Sequence, residues 1–487
     1  MVRLILLPET RRETDVLGMV DIPLKAYYGA FTARALGNFR ISGLVIDKEF
    51  IYSLVQVKLA CAESNHELGL LDRTRKAAIL RATHDVLQGR FDDAFPLDVF
   101  QAGAGTAWNM NVNEVIANRA NEILHSRVGC YEKIHANDHV NMSQSSNDVI
   151  PTATRITVLR LSGMLLEELS SLEESFMAKA RKYKNVMKAG RTHTRDAVPI
   201  TFEQEFNAYA SMLKIGRKRL ERCLENIGHV SLGGTAVGTG VNTRNEYSRI
   251  VLKHLREITM LDLVQASDFV EKTQFVSDFL EFIDALGEIC VDLVKLGNDL
   301  MLLSSGPETG LNELTLPPVE PGSSMMPGKV NPSIIECCNM VCFQILGNRT
   351  AVEKAAASGN FDLNVYVPLI AFNLFNSMKW LSNAVRMFNE KCIKGLSVNI
   401  LRAEYFLNRS NALATLISPI VGYEKAAKLA KESVHKNVTI AQLILKRRIL
   451  SEQQLAKLVA SSSRPNLDVI EELKANKLEP SKSSKRP

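Results

Sequence analysis

Between Pro199 and Pro307 the chain carries no proline, and its apolar residues recur at steps of three and four. Phe202, Phe206, Tyr209, Leu213, Leu220, Leu224 and Ile227 mark one such face; Phe275, Phe279, Phe282, Leu286, Ile289, Leu293, Leu296 and Leu300 mark another. That period is helical. The second face predicts a helix from about Asp268 to Leu303, a rod of roughly 50 Å at about 1.5 Å per residue. A rod that is apolar nearly all round must pack into a bundle, and where its own chain cannot cover it, other subunits must. An oligomer is expected on that ground. The proline-poor run from Ile334 to about Met387 adds further bundle helix. Strand-like alternation is scarce, with "VRLILL" and "KNVMKAGRTH" the stretches that could hide short strands. The pattern predicts an all-α chain.

The grain of the pattern changes twice. Residues 1–146 hold shorter helices, such as "DKEFIYSLVQVKLACAESNHELG", broken by glycine-rich pieces such as "QAGAGT". Residues 147–400 hold the long rods. From 401 to 487 the helices shorten again: "GYEKAAKLAKESVHK" and "SEQQLAKLVA" read as small amphipathic helices, the latter with Ser451 as N-cap. Three domains are expected, the last ending in a basic, disordered tail, "KLEPSKSSKRP". A chain of 487 residues exceeds what one core usually organises.

Composition narrows the function classes. Apolar residues at 46% and charged residues at 23% are the balance of a soluble globular protein. The net charge of +6 is mild for this length and much of it sits in the tail, so no nucleic-acid surface is expected. The eight cysteines (Cys61, Cys130, Cys223, Cys290, Cys337, Cys338, Cys342 and Cys392) lie mostly in apolar helical patterns without CxxC spacing, which predicts free thiols in a reducing compartment. The apolar run near the N-terminus is ended by Pro8 and charges, too short for a signal sequence, and no run approaches the roughly 20 apolar residues of a membrane span. A cytoplasmic protein without a membrane partner is expected.

Four polar or glycine-rich segments interrupt the helices: "QAGAGTAWNMNVNEVIANRA", with Thr106 after a glycine turn; "HANDHVNMSQSSND"; "AGRTHTRDAVP", with Thr192 and His193; and "PGSSMMPGKVNP". Singly, each has a bland reading. Thr106 suits a helix cap, Ser145 to Asp148 a cap or turn cluster, His193 a surface histidine and Lys329 a solvated charge. Together they assemble hydroxyls, amides, one histidine and one lysine, with no cysteine or histidine pairs at metal-ligand spacing and no phosphate-binding GxxxxGK[ST]. Such donors can neutralise a small dicarboxylate without a metal. Glycines beside the serines let backbone N–H groups approach an oxyanion. Proton abstraction next to a carboxylate is the chemistry this set suggests.

"GSSMMPGKVNP" strongly resembles the signature loop of the aspartase/fumarase superfamily. "HANDHVNMSQSSND", "GRTHTRDAVPITFEQEF", "SLGGTAVGTGVNT" and "LLSSGPETGLNELTLP" resemble that family's other segments, in the same order. The resemblance implies a homotetramer of three-domain, mostly helical chains whose long helices form a twenty-helix core, with active sites each shared by three subunits. It implies reversible elimination from a succinyl-type substrate to give fumarate. Ser323 would be the base that takes the C3 proton, on a mobile loop, with Lys329 stabilising its alkoxide. Thr106, Ser145, Ser146 and Ser324 would hold one carboxylate and Thr192, Lys329 and Asn331 the other. Asn147 and His193 would face the leaving group, and Glu336 matches a carboxylate that orients the lysine or histidine. No cofactor is implied and no metal is expected in the site; activation by a divalent cation elsewhere stays open.

The superfamily's branches differ in leaving group. "AYYGA", "QAGAGT", "LLSSGP", "GLNEL" and "NMVCFQILGN" resemble aspartases, which release ammonia from L-aspartate, whereas "SQSSND" and the "PGSS" and "PGK" of the loop resemble class II fumarases, which release water from L-malate. The balance favours ammonia, with water as the alternative. Some residues fit neither branch: Phe31 stands where aspartases usually carry His, Thr194 and Arg195 replace Leu-Gln, and Met301 and Glu308 replace arginines.

Overall fold

Each apolar face read from the sequence folds as helix, but two of the rods are interrupted. The computed structural model describes residues 9–475, so "VRLILL" and the basic tail lie outside the described residues. The expected rod from Asp268 to Leu303 is two helices, Phe269–Gln274 and Ser277–Leu303, with Phe275 extended between them. The break has a tertiary cause. Asp278 is buried and accepts from the Arg155 guanidinium at 2.6 Å and the Lys272 ammonium at 3.0 Å. This anchors a carboxylate in the first turn of the new helix, where the helix dipole favours it. The 27 remaining residues make a rod of about 40 Å. The run from Ile334 to Met387 likewise becomes Ser333–Ala357 and Val367–Phe388, parted by the Ser358-Gly359-Asn360 turn.

The longest element is Ser146–Lys182, 37 residues. One 18-residue window of it is apolar enough by length and composition to cross a membrane, more than the sequence reading allowed, yet 72% of that window is buried inside the fold. Its apolar side chains are used for packing. Among the described residues the strands form four two-stranded sheets, none with a strand beyond seven residues, and the fold is all-α in class. "KNVMKAGRTH" does carry one of them, Met187–Thr192, paired antiparallel with Arg195–Thr201.

The chain divides into two units, each discontinuous in sequence. The first gathers Met1–Glu168, Gly216–Val291 and Met340–Asn383. Its core includes Phe50 against Trp108 and Phe375, with ring centroids 5.1 and 5.8 Å apart. Helix Lys48–Glu67, capped by Asp47, and helix Thr106–Ile123 run through this core and set the floor of the candidate site. The second unit gathers Leu169–Ile215, Asp292–Asn339 and Ala384–Pro487. Within it the short C-terminal helices enclose a core of their own around Leu413, Ile417, Leu429, Ile440, Ile444 and Leu458. Ser451 caps Glu452–Ser461 in a reciprocal capping box with Gln454, as its sequence position suggests. All eight cysteines are free thiols.

Candidate active site

Two groups of polar residues, one in each unit, account for all the residues singled out in the sequence. In the first unit a cavity of about 850 Å³ is lined by Thr106, Ser145, Ser146 and Asn147. Thr106 is not a cap. Gly105, in the left-handed region at φ 70°, holds the N-cap position, and Thr106 opens the helix with its side chain on the cavity. The serine pair does both jobs. The Ser145 hydroxyl accepts from the Asn147 N–H at 3.2 Å and the Ser145 N–H donates to Asp148 at 3.0 Å, which caps the Ser146–Lys182 helix and leaves both hydroxyls on the cavity wall.

Asp148 ties this turn to the glycine-rich segment that follows strand His229–Val230. Its second carboxylate oxygen accepts the N–H groups of Gly233 and Thr235, each at 3.0 Å. Burial pushes its carboxyl above the usual range, against three backbone donors that favour the ionised form. Thr235 itself sits at φ 57° and lines the cavity with Asn242, also at positive φ. Asn147 donates its amide to the Ala236 carbonyl at 2.7 Å. Phe31 lines the same cavity.

The residue selection from the sequence left out the amides beneath the hydroxyls. Asn109 donates to the Ser146 hydroxyl at 3.1 Å, and Asn141 and Gln144 complete the floor around a fully buried Lys58. The signal was present in "WNMNVNE" and "VQVKLACAE": amides and a lysine at positions that helical period assigns to the buried side.

In the second unit Thr192 and His193 are exposed at the turn of the Met187–Thr192/Arg195–Thr201 hairpin. His193 and Thr194 both have positive φ, 53° and 57°. A β-branched residue there is strained, and such strain persists only where surrounding structure imposes it. Below the turn, Arg191 donates to the fully buried Glu313 at 2.6 Å, Lys188 lies 3.8 Å from the same oxygen and is hydrogen-bonded to Glu205 at 3.0 Å, and the Arg191 guanidinium lies 5.5 Å from the Phe406 ring.

The signature loop is in this unit too. The Ser323 hydroxyl accepts the N–H groups of Met325 at 3.1 Å and Met326 at 2.9 Å, and the Ser323 N–H donates to the Lys329 carbonyl at 3.0 Å. Ser324 and Lys329 are exposed, Asn331 is half-buried, and Glu336 is exposed in the first turn of Ser333–Ala357. Gly322 makes this turn: at φ 82°, an added Cβ would lie 1.7 Å from the Lys329 carbonyl oxygen. In Gly322→Ala the loop must open, so kcat is expected to fall by about tenfold or more, a loss of roughly 1.4 kcal/mol in positioning. The thermal midpoint should hardly move, because the loop is exposed. Unchanged steady-state turnover in that variant would separate loop shape from catalysis.

Thr192, His193, Ser323, Ser324, Lys329 and Asn331 are not among the residues lining the first unit's cavity. Met301 is half-buried and Glu308 exposed. The structure offers no account of why they replace arginines.

A family model described as "Lyase" matches residues 18–347, and one described as "Fumarase C C-terminus" matches residues 413–462. Fumarate hydratase class II 2 of Bradyrhizobium diazoefficiens is 42% identical over 93% of this chain and 96% of its own length. Aspartate ammonia-lyase of a Bacillus species is 44% identical over 92% of this chain and 96% of its own. Among solved structures, the cobalt-bound fumarate lyase:delta crystallin from Brucella melitensis superposes with a TM-score of 0.91 at 42% identity, covering 94% of this chain and all of that one. Recombinant class II fumarase from Schistosoma mansoni gives 0.90 at 35% identity, with the same coverage.

Proposed function

The chain belongs to the aspartase/fumarase superfamily of lyases, and on that premise we propose that it eliminates ammonia from L-aspartate, reversibly, to give fumarate. The observation that carries the choice of leaving group is the Asn147 amide. One of its two N–H groups is engaged by the Ala236 carbonyl, which fixes the amide so that its oxygen is an acceptor for an ammonium.

Ser323 takes the C3 proton. A serine hydroxyl is a weak base, and the two N–H donors on its oxygen stabilise the alkoxide it must become. Abstraction beside a carboxylate makes a dianionic enediolate, whose added charge needs fixed donors. Thr106, Ser145, Ser146 and Ser324 supply them on that carboxylate; Thr192, Lys329 and Asn331 bind the other; His193 and Asn147 face the departing nitrogen. These residues meet in a homotetramer, where each site draws on three subunits. The exposure of large apolar residues on the long helices, Val291 at 53%, Leu302 at 57%, Met340 at 62% and Phe343 at 57%, supports such burial between chains.

Release of water from L-malate is the second reading, favoured by Ser146 and by relatives of both kinds at similar identity. Fumarate absorbance followed with each substrate separates the two. Turnover of aspartate alone is the expected result. Turnover of malate alone transfers the assignment to water, and turnover of neither favours a non-catalytic member of the superfamily.

A further inference from the structure

Lys58 is an anomaly: an amine with no exposed surface, in the middle of the Lys48–Glu67 helix, with no carboxylate in contact. Its Nζ instead donates to three side-chain carbonyl oxygens, of Asn109 at 2.5 Å, Asn141 at 3.0 Å and Gln144 at 2.8 Å. All three amides line the 850 Å³ cavity. In its charged form Lys58 has donors only, so the three oxygens on Nζ are the arrangement of the ammonium, and the ammonium fixes which end of each amide it faces. Asn109 must turn its oxygen to Lys58 and its NH₂ outward, and that NH₂ donates to Asn141 and to the Ser146 hydroxyl, both at 3.1 Å. Ser146 Oγ, having accepted this bond, keeps its own O–H free to donate. With Lys58 charged, the hydrogen bonds therefore run from a buried cation through Asn109 to the Ser146 hydroxyl on the cavity wall, each donor of that chain pointing toward the cavity.

We propose that Lys58 is a positioning residue for anion binding: it polarises the Asn109–Ser146 chain toward a dicarboxylate, and its Nζ takes up a proton from solvent when that dianion enters the cavity. The inference rests on the dicarboxylate reading above and adds to it a linkage between substrate binding and pH. No covalent step is involved; an amine gains one proton and becomes an ammonium.

The electrostatic surroundings support a titrating group. Burial lowers the Lys58 amine to about 7, with Cys61 on its own helix and Asp148 at the start of Ser146–Lys182 acting the other way. From Thr106–Ile123 it meets the uncharged Asn109, and Tyr247, on the Tyr247–Thr259 helix, faces Cys61 and Asp148. Asp148 is itself occupied by three backbone donors and does not touch the lysine. The sign follows. Below about pH 7 the amine is charged and an anion finds the cation in place; above it, binding must first charge the amine, so affinity declines toward about tenfold per pH unit.

The test is calorimetric titration of the full-length oligomer with succinate, a non-reacting dicarboxylate, in buffers of different ionisation enthalpy between pH 6 and 9. Wild type should take up a large fraction of one proton per site near pH 8 and close to none at pH 6. In Lys58→Met, which keeps the stem and removes the charge, the uptake and the pH dependence of affinity should vanish. Should that variant fail to fold, Lys58→Arg, which keeps a cation at every pH, decides the matter: it binds succinate without uptake if Lys58 is the acceptor. Binding without uptake in wild type, or uptake retained in Lys58→Met or in Lys58→Arg, overturns the assignment to Lys58. A wild type that does not bind succinate at all overturns the dicarboxylate reading instead.

Discussion

Ser323→Ala is expected to lower kcat by about 10²- to 10⁴-fold, the range a positioned general base contributes, while the proposed oligomer and its thermal midpoint persist. The reasoning is local. Ser323 Oγ is the acceptor for two consecutive backbone N–H groups, Met325 and Met326, in a turn closed by its own N–H to Lys329. Two donors on one hydroxyl oxygen disfavour the neutral alcohol relative to the alkoxide, which is what a serine base requires. The neighbouring residues from Ser324 to Val330 are exposed, so little packing is lost with the hydroxyl. Steady-state kinetics beside size-exclusion chromatography checks both halves. Near-normal turnover with an intact oligomer would take the base away from Ser323.

The largest expected effect on stability comes from Glu313→Ala. Glu313 is fully buried and is the carboxylate on which Arg191 closes at 2.6 Å, with Lys188 3.8 Å away. Lys188 retains Glu205 when Glu313 is removed, but Arg191 is left without its carboxylate in a largely covered position. Breaking one side of a buried pair typically costs about 3–5 kcal/mol, because the remaining charge loses compensation. Arg191 is also two residues before His193, so the strained turn loses its anchor and turnover should fall in any fraction that folds. Denaturant unfolding of the variant against wild type measures the first effect. A difference below about 1 kcal/mol would reduce the pair to an ordinary surface-type interaction.

How much of the site was legible depended on how locally each residue acts. Ser451 announced its cap because a capping box needs only four consecutive residues. Thr106 gave the opposite lesson. Its place after a glycine turn suited a cap, but Gly105 took that position in the left-handed conformation and freed the hydroxyl. The four loops carried recognisable residue types, and the resemblance they support agrees with the family match over residues 18–347. The Asn109, Asn141 and Gln144 amides escaped selection because an asparagine inside a helix has no local signature of facing a buried amine. The interruption at Phe275 escaped for a similar reason: the cause is Arg155, 123 residues from Asp278.

By itself the sequence determined the helical class, through a period that every turn of helix enforces on its own residues, and the chemical inventory of the four polar segments. Tertiary structure alone decided which way those groups face. The Lys58 amine meets Gln144 across 86 residues and Arg191 meets Glu313 across 122, and pairings at that range are set by how helices stack, not by neighbouring side chains. Donor direction at Ser146 follows from the first, and the anchoring of the His193 turn from the second. Hydrophobic periodicity is a property of short windows; the polarity of a buried hydrogen-bond chain exists only once the elements that carry its members have been brought together.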